Sequence, residues 1–209
     1  FCEVLGKPAM YPKFELIKKN GSWQVRASTC ELPEVKLGDY RKAVQGALRA
    51  ASIWTPGQDK KQGSANDERK LTREEKEQKV INVLLKTIKI EIPKILITEE
   101  VNARLASLLQ RIEKLGLSLE NYLSSIGKTG ETLRQEYEKQ SRQTISLEII
   151  LNTIADSENI KITEKQVREV IEAAAKTNKD KQKFDRPEQQ NLVRAVLRRR
   201  VVLEKLAGL

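Results

Sequence analysis

The sequence predicts a mainly α-helical chain that carries a small β-hairpin, an α+β remnant, at its N-terminus. Three observations lead there. Charged residues make up 33% of the 209 residues and aromatics only 4%, which suits slender helices with one narrow buried face better than a thick globule. From Leu71 onward, apolar residues recur at helical spacing among Glu, Lys, Arg and Gln, which are good helix formers. Before that point, Asn20-Gly21 stands between two strand-like runs, and both residues tolerate positive φ.

The elements follow in order. The runs from Phe14 to Lys19 and from Ser22 to Cys30 flank Asn20-Gly21 as a hairpin. Trp23, Val25 and Ala27 alternate with Gln24 and Arg26, which predicts one buried and one wet face. Two strands alone are marginal, so the hairpin needs a further strand or a helix to lean on. The stretch from Leu37 to Trp54 supports a helix from Asp39 through Ala43, Ala47, Ala50 and Ala51; Gly46 weakens it, and an extended segment is the alternative. Thr55 to Lys70 holds almost nothing to bury and reads as a flexible linker. These composition shifts divide the chain into a hairpin unit (1–36), a connecting segment with linker (37–70) and a helical domain (71–209).

Thr72 with Glu75 forms a capping box at the start of a helix that presents Val80, Val83, Leu84 and Ile88 on one face. Pro93 lacks an amide hydrogen and restricts Ile92, so an extended elbow is expected around it. The next helix is expected from about Thr98 to Leu115, with Val101, Leu105, Leu108, Ile112 and Leu115 as one seam and Gly116 as its stop. A short helix from Ser118 to about Ile126 ends at Gly127, and a long one runs from Gly130 to about Ala155. Thr163 with Gln166 opens another helix, buried through Val167, Val170, Ile171 and Ala174. The last helix spans about Pro187 to Leu206, with Asp185 as its N-cap.

Composition narrows the chemistry. There is no histidine, which removes the commonest general base near neutral pH. Cys2 and Cys30 are too few for a structural zinc site built from Cys and His; their redox state stays open, with two reduced thiols as the simpler reading. No Walker or Rossmann glycine motif is present, so neither nucleotide nor other cofactor is expected. No apolar run of about 18 residues exists, so no membrane span is expected. The start lacks the profile of a signal peptide and an initiating Met, as a processed or truncated piece would. The net charge of +10 favours anionic partners through long-range attraction, yet no nucleic-acid motif accompanies it. Arg198, Arg199 and Arg200 occupy most of a helical turn, so they read as a solvated face rather than one flat phosphate-docking surface.

Gly116, Leu119, Tyr122, Leu123, Gly127, Lys128, Thr129, Ile160, Thr163 and Glu164 lie in an order that resembles the C-terminal domain of bacterial trigger factor. Pro93, Ile97, Glu100 and Leu105 resemble the family's Ile-Pro segment leading into its first arm. Gly6 and Pro8 resemble the end of its ribosome-binding domain, and Pro33, Glu34, Val35, Leu37 and Tyr40 the segment leaving it. Two departures stand out. The family's Gly-Phe-Arg ribosome-docking loop would lie before residue 1. Its prolyl isomerase domain would fall between about Trp54 and Leu71, where only the linker stands. The chain therefore reads as an isomerase-less member, natural or engineered, and no enzyme activity is expected.

The resemblance implies helical arms of the trigger factor C-terminal/SurA-like type that cradle hydrophobic stretches of unfolded or nascent polypeptide without ATP, in the cytoplasm. A SurA-type periplasmic cousin is the architectural alternative. The ribosome would be reached only through a segment missing from this chain. No membrane and no specific nucleic acid are expected, and a homodimer stays open. The candidate peptide-binding residues are Val101, Leu105, Leu109, Ile112, Leu117, Tyr122, Leu123, Ile126, Leu133 and Tyr137. Ordinary packing between arm helices is the competing reading for each, and a basic ribosome- or RNA-binding helical module is the competing function.

Overall fold

The computed structural model describes residues 13–18, 23–52, 71–177 and 187–208. The Asn20-Gly21 turn, the 55–70 linker, Cys2 and the Asp185 cap lie outside these residues. Within them, β1 (Lys13–Lys18) and β2 (Gln24–Ser28) precede seven helices. These are α1 (Tyr40–Ser52), α2 (Arg73–Thr87), α3 (Lys94–Lys114), α4 (Leu119–Ser125), α5 (Gly130–Ser157), α6 (Glu164–Thr177) and α7 (Pro187–Ala207). The mainly α class with a two-stranded hairpin is what the sequence predicts. The chain forms two compact units, one of Phe1–Glu34 with Ile90–Ser146, the other of Val35–Lys89 with Leu147–Leu209.

In the first unit the hairpin is antiparallel, with Phe14 opposite Ala27, Glu15 opposite Arg26 and Leu16 opposite Val25. The register breaks between Leu16 and Lys18, so Ile17 sits at a bulge. The pairing puts Phe14, Leu16, Val25 and Ala27 on one face, and alternation adds Trp23. That face was expected to be buried, but Phe14, Leu16, Trp23 and Val25 are all exposed. Alternation fixes which residues share a face; whether anything covers it depends on what packs there.

Pro93 is the N-cap of α3, so the helix starts at Lys94 rather than near Thr98. Proline biases the residue before it away from helix and leaves those after it free, so the elbow ends at Pro93. The extra turn brings Ile97 into line with Val101. Ile92, Ile97 and Val101 form a buried cluster on which Ile90, Leu96, Leu105, Tyr137 and Ile145 pack.

In the second unit, α1 buries Tyr40, Val44 and Leu48 at four-residue spacing. The Thr72–Glu75 capping box forms as expected, and Val80, Leu84 and Ile88 are buried. The C-terminal end of α5 buries Ile149, Ile150, Leu151, Ile154 and Ala155. It stops at Asn159 (φ 51), with the Ile160 amide donating to the Ala155 carbonyl at 2.9 Å. Thr163 and Gln166 exchange bonds at the start of α6. Val167 is buried there, where α6 packs on α7, but Val170 is exposed, against expectation.

Glu158, at the end of α5, ties three helices of this unit together. Its side chain is 6% exposed. One carboxylate oxygen accepts from the Tyr40 hydroxyl at 2.9 Å and from Arg41 at 2.8 Å, and the other pairs with Lys205 at 2.6 Å. Burial pushes this carboxyl up, but the bonds from Lys205, Arg41 and Tyr40 outweigh it and hold the group below the usual carboxylate range.

Candidate functional site

The sequence motifs converge on the turn joining α3 to α4. Gly116 adopts φ 68, which an L side chain rarely takes. Its amide donates to the Glu113 carbonyl at 3.0 Å, and the Leu117 amide reaches back to the Ile112 carbonyl at 3.2 Å. This double bond pattern satisfies the last carbonyls of α3 and reverses the chain at once. Ser118 then caps α4 by accepting from the Asn121 amide. Gly127 (φ 63) closes α4 in the same way, with the Lys128 amide donating to Leu123. Thr129 and Thr132 exchange backbone-to-hydroxyl bonds at 3.0 and 3.2 Å and start α5.

Four leucines stand out of this turn region. Leu115 is 73% exposed, and Leu109, Leu117 and Leu119 are each more than 40% exposed. Leu115 was placed in the α3 seam by its spacing. It is instead the C-cap residue, where the chain turns away. Tyr122, Leu123 and Ile126 of the following short segment are half-buried.

The ten residues singled out from sequence thus separate. Leu109 and Leu117 are exposed; Leu105, Tyr122, Leu123, Ile126 and Tyr137 are half-buried; Val101, Ile112 and Leu133 are buried. Leu105 and Tyr137 pack on the Ile92–Ile97–Val101 cluster. Of the accessible leucines, Leu115 and Leu119 were missed as surface residues, and their position beside the stop at Gly116 was the available signal.

A second surface runs along α3. Glu100, Ala103, Arg104, Ser107, Leu108 and Arg111, with Tyr137 of α5, line an open groove of about 430 Å³. Their spacing of three and four residues places them on one stripe beside the core-facing seam. Arg104 pairs with Glu100 at 2.7 Å and donates to the Thr144 hydroxyl at 3.1 Å. Of this set the sequence marks Tyr137 alone as a peptide-binding candidate, with Leu108 in the α3 seam and Glu100 in the segment leading into it.

The Arg198–Arg200 run is engaged internally. Arg198 bonds Asp156 at 2.7 Å and the Ile160 carbonyl at 2.8 Å; Arg199 pairs with Glu148, and Arg200 with Glu204 at 3.0 Å. Arg198 and Arg199 are therefore largely covered struts rather than a fully solvated face, because carboxylates on α5 meet them. Cys30 is a free thiol, and burial pushes its pKa up. Among the described residues no group of three or more His, Cys, Asp or Glu is placed to hold a metal ion. No helix there is long and apolar enough to cross a membrane.

The fold and the site define a mainly helical chain, with a small hairpin and an exposed apolar turn between capped helices. Residues 58–208 match the family described as bacterial trigger factor protein (TF) C-terminus, and the chain belongs to that family. Trigger factor of Clostridium botulinum (strain Eklund 17B / Type B) is 30% identical over 165 residues, covering 78% of this chain and 38% of that protein. Trigger factor of Clostridium beijerinckii is 29% identical over 163 residues, covering 77% and 37%. The chain thus spans well under half the length of these relatives. A solved structure of trigger factor domains from Thermotoga maritima overlays with a TM-score of 0.52 at 19% identity, covering 65% of this chain and 81% of that one, which is a likeness of fold.

Proposed function

We propose that this chain holds hydrophobic segments of nascent or unfolded polypeptides without ATP and without prolyl isomerase activity of its own, as a cytoplasmic chaperone of the trigger factor kind. Ribosome contact would require a segment outside this sequence. The observation that carries the reading is the group of exposed leucines, Leu109, Leu115, Leu117 and Leu119, around one rigidly capped turn. Burying such side chains against a client contributes roughly 25 cal/mol per Å² before ordering costs. Many such contacts, non-directional and individually weak, give reversible holding with broad tolerance of sequence. Leu105, Tyr122, Leu123, Ile126 and Tyr137 would extend the surface, with Val101, Ile112 and Leu133 supporting it from beneath.

The test is suppression of aggregation. A denatured client is diluted at low salt with and without a several-fold excess of the protein, and scattering is followed. Suppression is expected, and a Leu115→Ser/Leu119→Ser variant should suppress markedly less while keeping its helical content. No suppression by the unaltered chain refutes the reading.

A further inference from the structure

We infer that the α3 groove prefers client segments in which a carboxylate stands beside an apolar side chain; the inference rests on the polypeptide-holding function proposed above. The groove is lined by both kinds of recognition group. Leu108 and the Tyr137 ring give it an apolar wall, while Ala103 and Ser107 are short enough to let a backbone approach. Its charges are unbalanced. Glu100, the carboxylate in the lining, is already neutralised by Arg104 at 2.7 Å. Arg111 is exposed, and among the described residues no carboxylate or hydrogen-bond acceptor engages its guanidinium.

Arg111 therefore leaves an unmatched positive charge next to Leu108. The two lie three positions apart on α3, within one turn of helix, so one client residue can meet each. A guanidinium binds a carboxylate through paired N–H donors, a geometry that an amide cannot match in charge. The Tyr137 hydroxyl, also without a partner among the described residues, is a second donor in the lining. A basic client segment would meet Arg111 as a like charge, and the net charge of +10 acts in the same sense at longer range.

The test uses the full chain and two fluorescein-labelled twelve-residue peptides. One carries a Leu-Phe pair flanked by Asp and Glu, and its twin has Asn and Gln at those positions. Anisotropy at low salt should show the acidic peptide binding about threefold to tenfold tighter, a range expected for a partly exposed charge pair with directed hydrogen bonds. Arg111→Gln should bring the two dissociation constants together, and Arg111→Lys should restore only part of the gap. Lys86→Gln, a change to an exposed cation on α2, should leave the gap intact.

Equal binding of the two peptides to the unaltered chain overturns this inference and leaves the holding function standing. A preference that survives Arg111→Gln, or oligoglutamate or an RNA oligomer binding as tightly as the acidic peptide, overturns it too, since the groove would then not be reading charge beside an apolar group. Failure of both peptides to bind overturns the inference and the holding function together.

Discussion

Removing the Glu158 carboxylate should loosen the helices that meet on it. Glu158 receives one hydrogen bond from a neutral donor, Tyr40, and charged contacts from Arg41 and Lys205. A hydrogen bond to a charged group contributes about 1.5 kcal/mol or more. The side chains of Arg41 and Lys205 are 58% and 56% exposed, so solvent screening leaves each ion pair a smaller share than that hydrogen bond. Glu158→Ala should therefore cost about 2–3 kcal/mol, and Glu158→Gln about 1 kcal/mol, because an amide oxygen still accepts from Tyr40. Urea unfolding at pH 7 measures both. The pH dependence supplies an independent check. The folded-state pKa is depressed, so the charge stabilises the fold above the ordinary glutamate range, about 4.3, and the benefit fades as pH falls through the depressed value. The gap between the unaltered chain and Glu158→Gln should shrink on acidification over that window. A Glu158→Ala variant within about 0.5 kcal/mol of the unaltered chain at pH 7 would refute the reasoning, as would a gap that widens toward acid.

Two further outcomes follow from the same geometry. Gly116→Ala should destabilise by about 1–2 kcal/mol in urea melts through backbone conformation alone, since nothing stands within 4 Å of the position its Cβ would take; an unchanged midpoint contradicts the turn assignment. Ser141 is fully buried in α5 and its hydroxyl has no partner among the described residues, so Ser141→Ala should be neutral or raise stability by up to about 1 kcal/mol, and a loss of that size would reveal a partner for the hydroxyl.

Local chemistry was legible in the sequence. Thr72 with Glu75, Thr163 with Gln166, and the glycines at 116 and 127 marked helix ends where the structure has them, because a cap involves residues only a few positions apart. The hairpin strands and the buried stripe of Val80, Leu84 and Ile88 followed from periodicity for the same reason. Near Pro93 the structure departs from the expectation: proline restricts Ile92 but not the residues after it, so α3 begins a full turn before Thr98.

The sequence by itself determined where helices start and stop and which residues share a face. Only the tertiary structure decided which faces are covered. Tyr40, Val44 and Leu48 of α1 are buried, while Phe14, Trp23, Leu115 and Val170 are exposed despite their apolar spacing. It also decided that Arg198 and Arg199 meet carboxylates and that Arg111 meets none among the described residues. The reason is one of range: capping and periodicity act within a turn or two of chain, whereas burial and charge pairing depend on segments brought together from distant parts of the sequence.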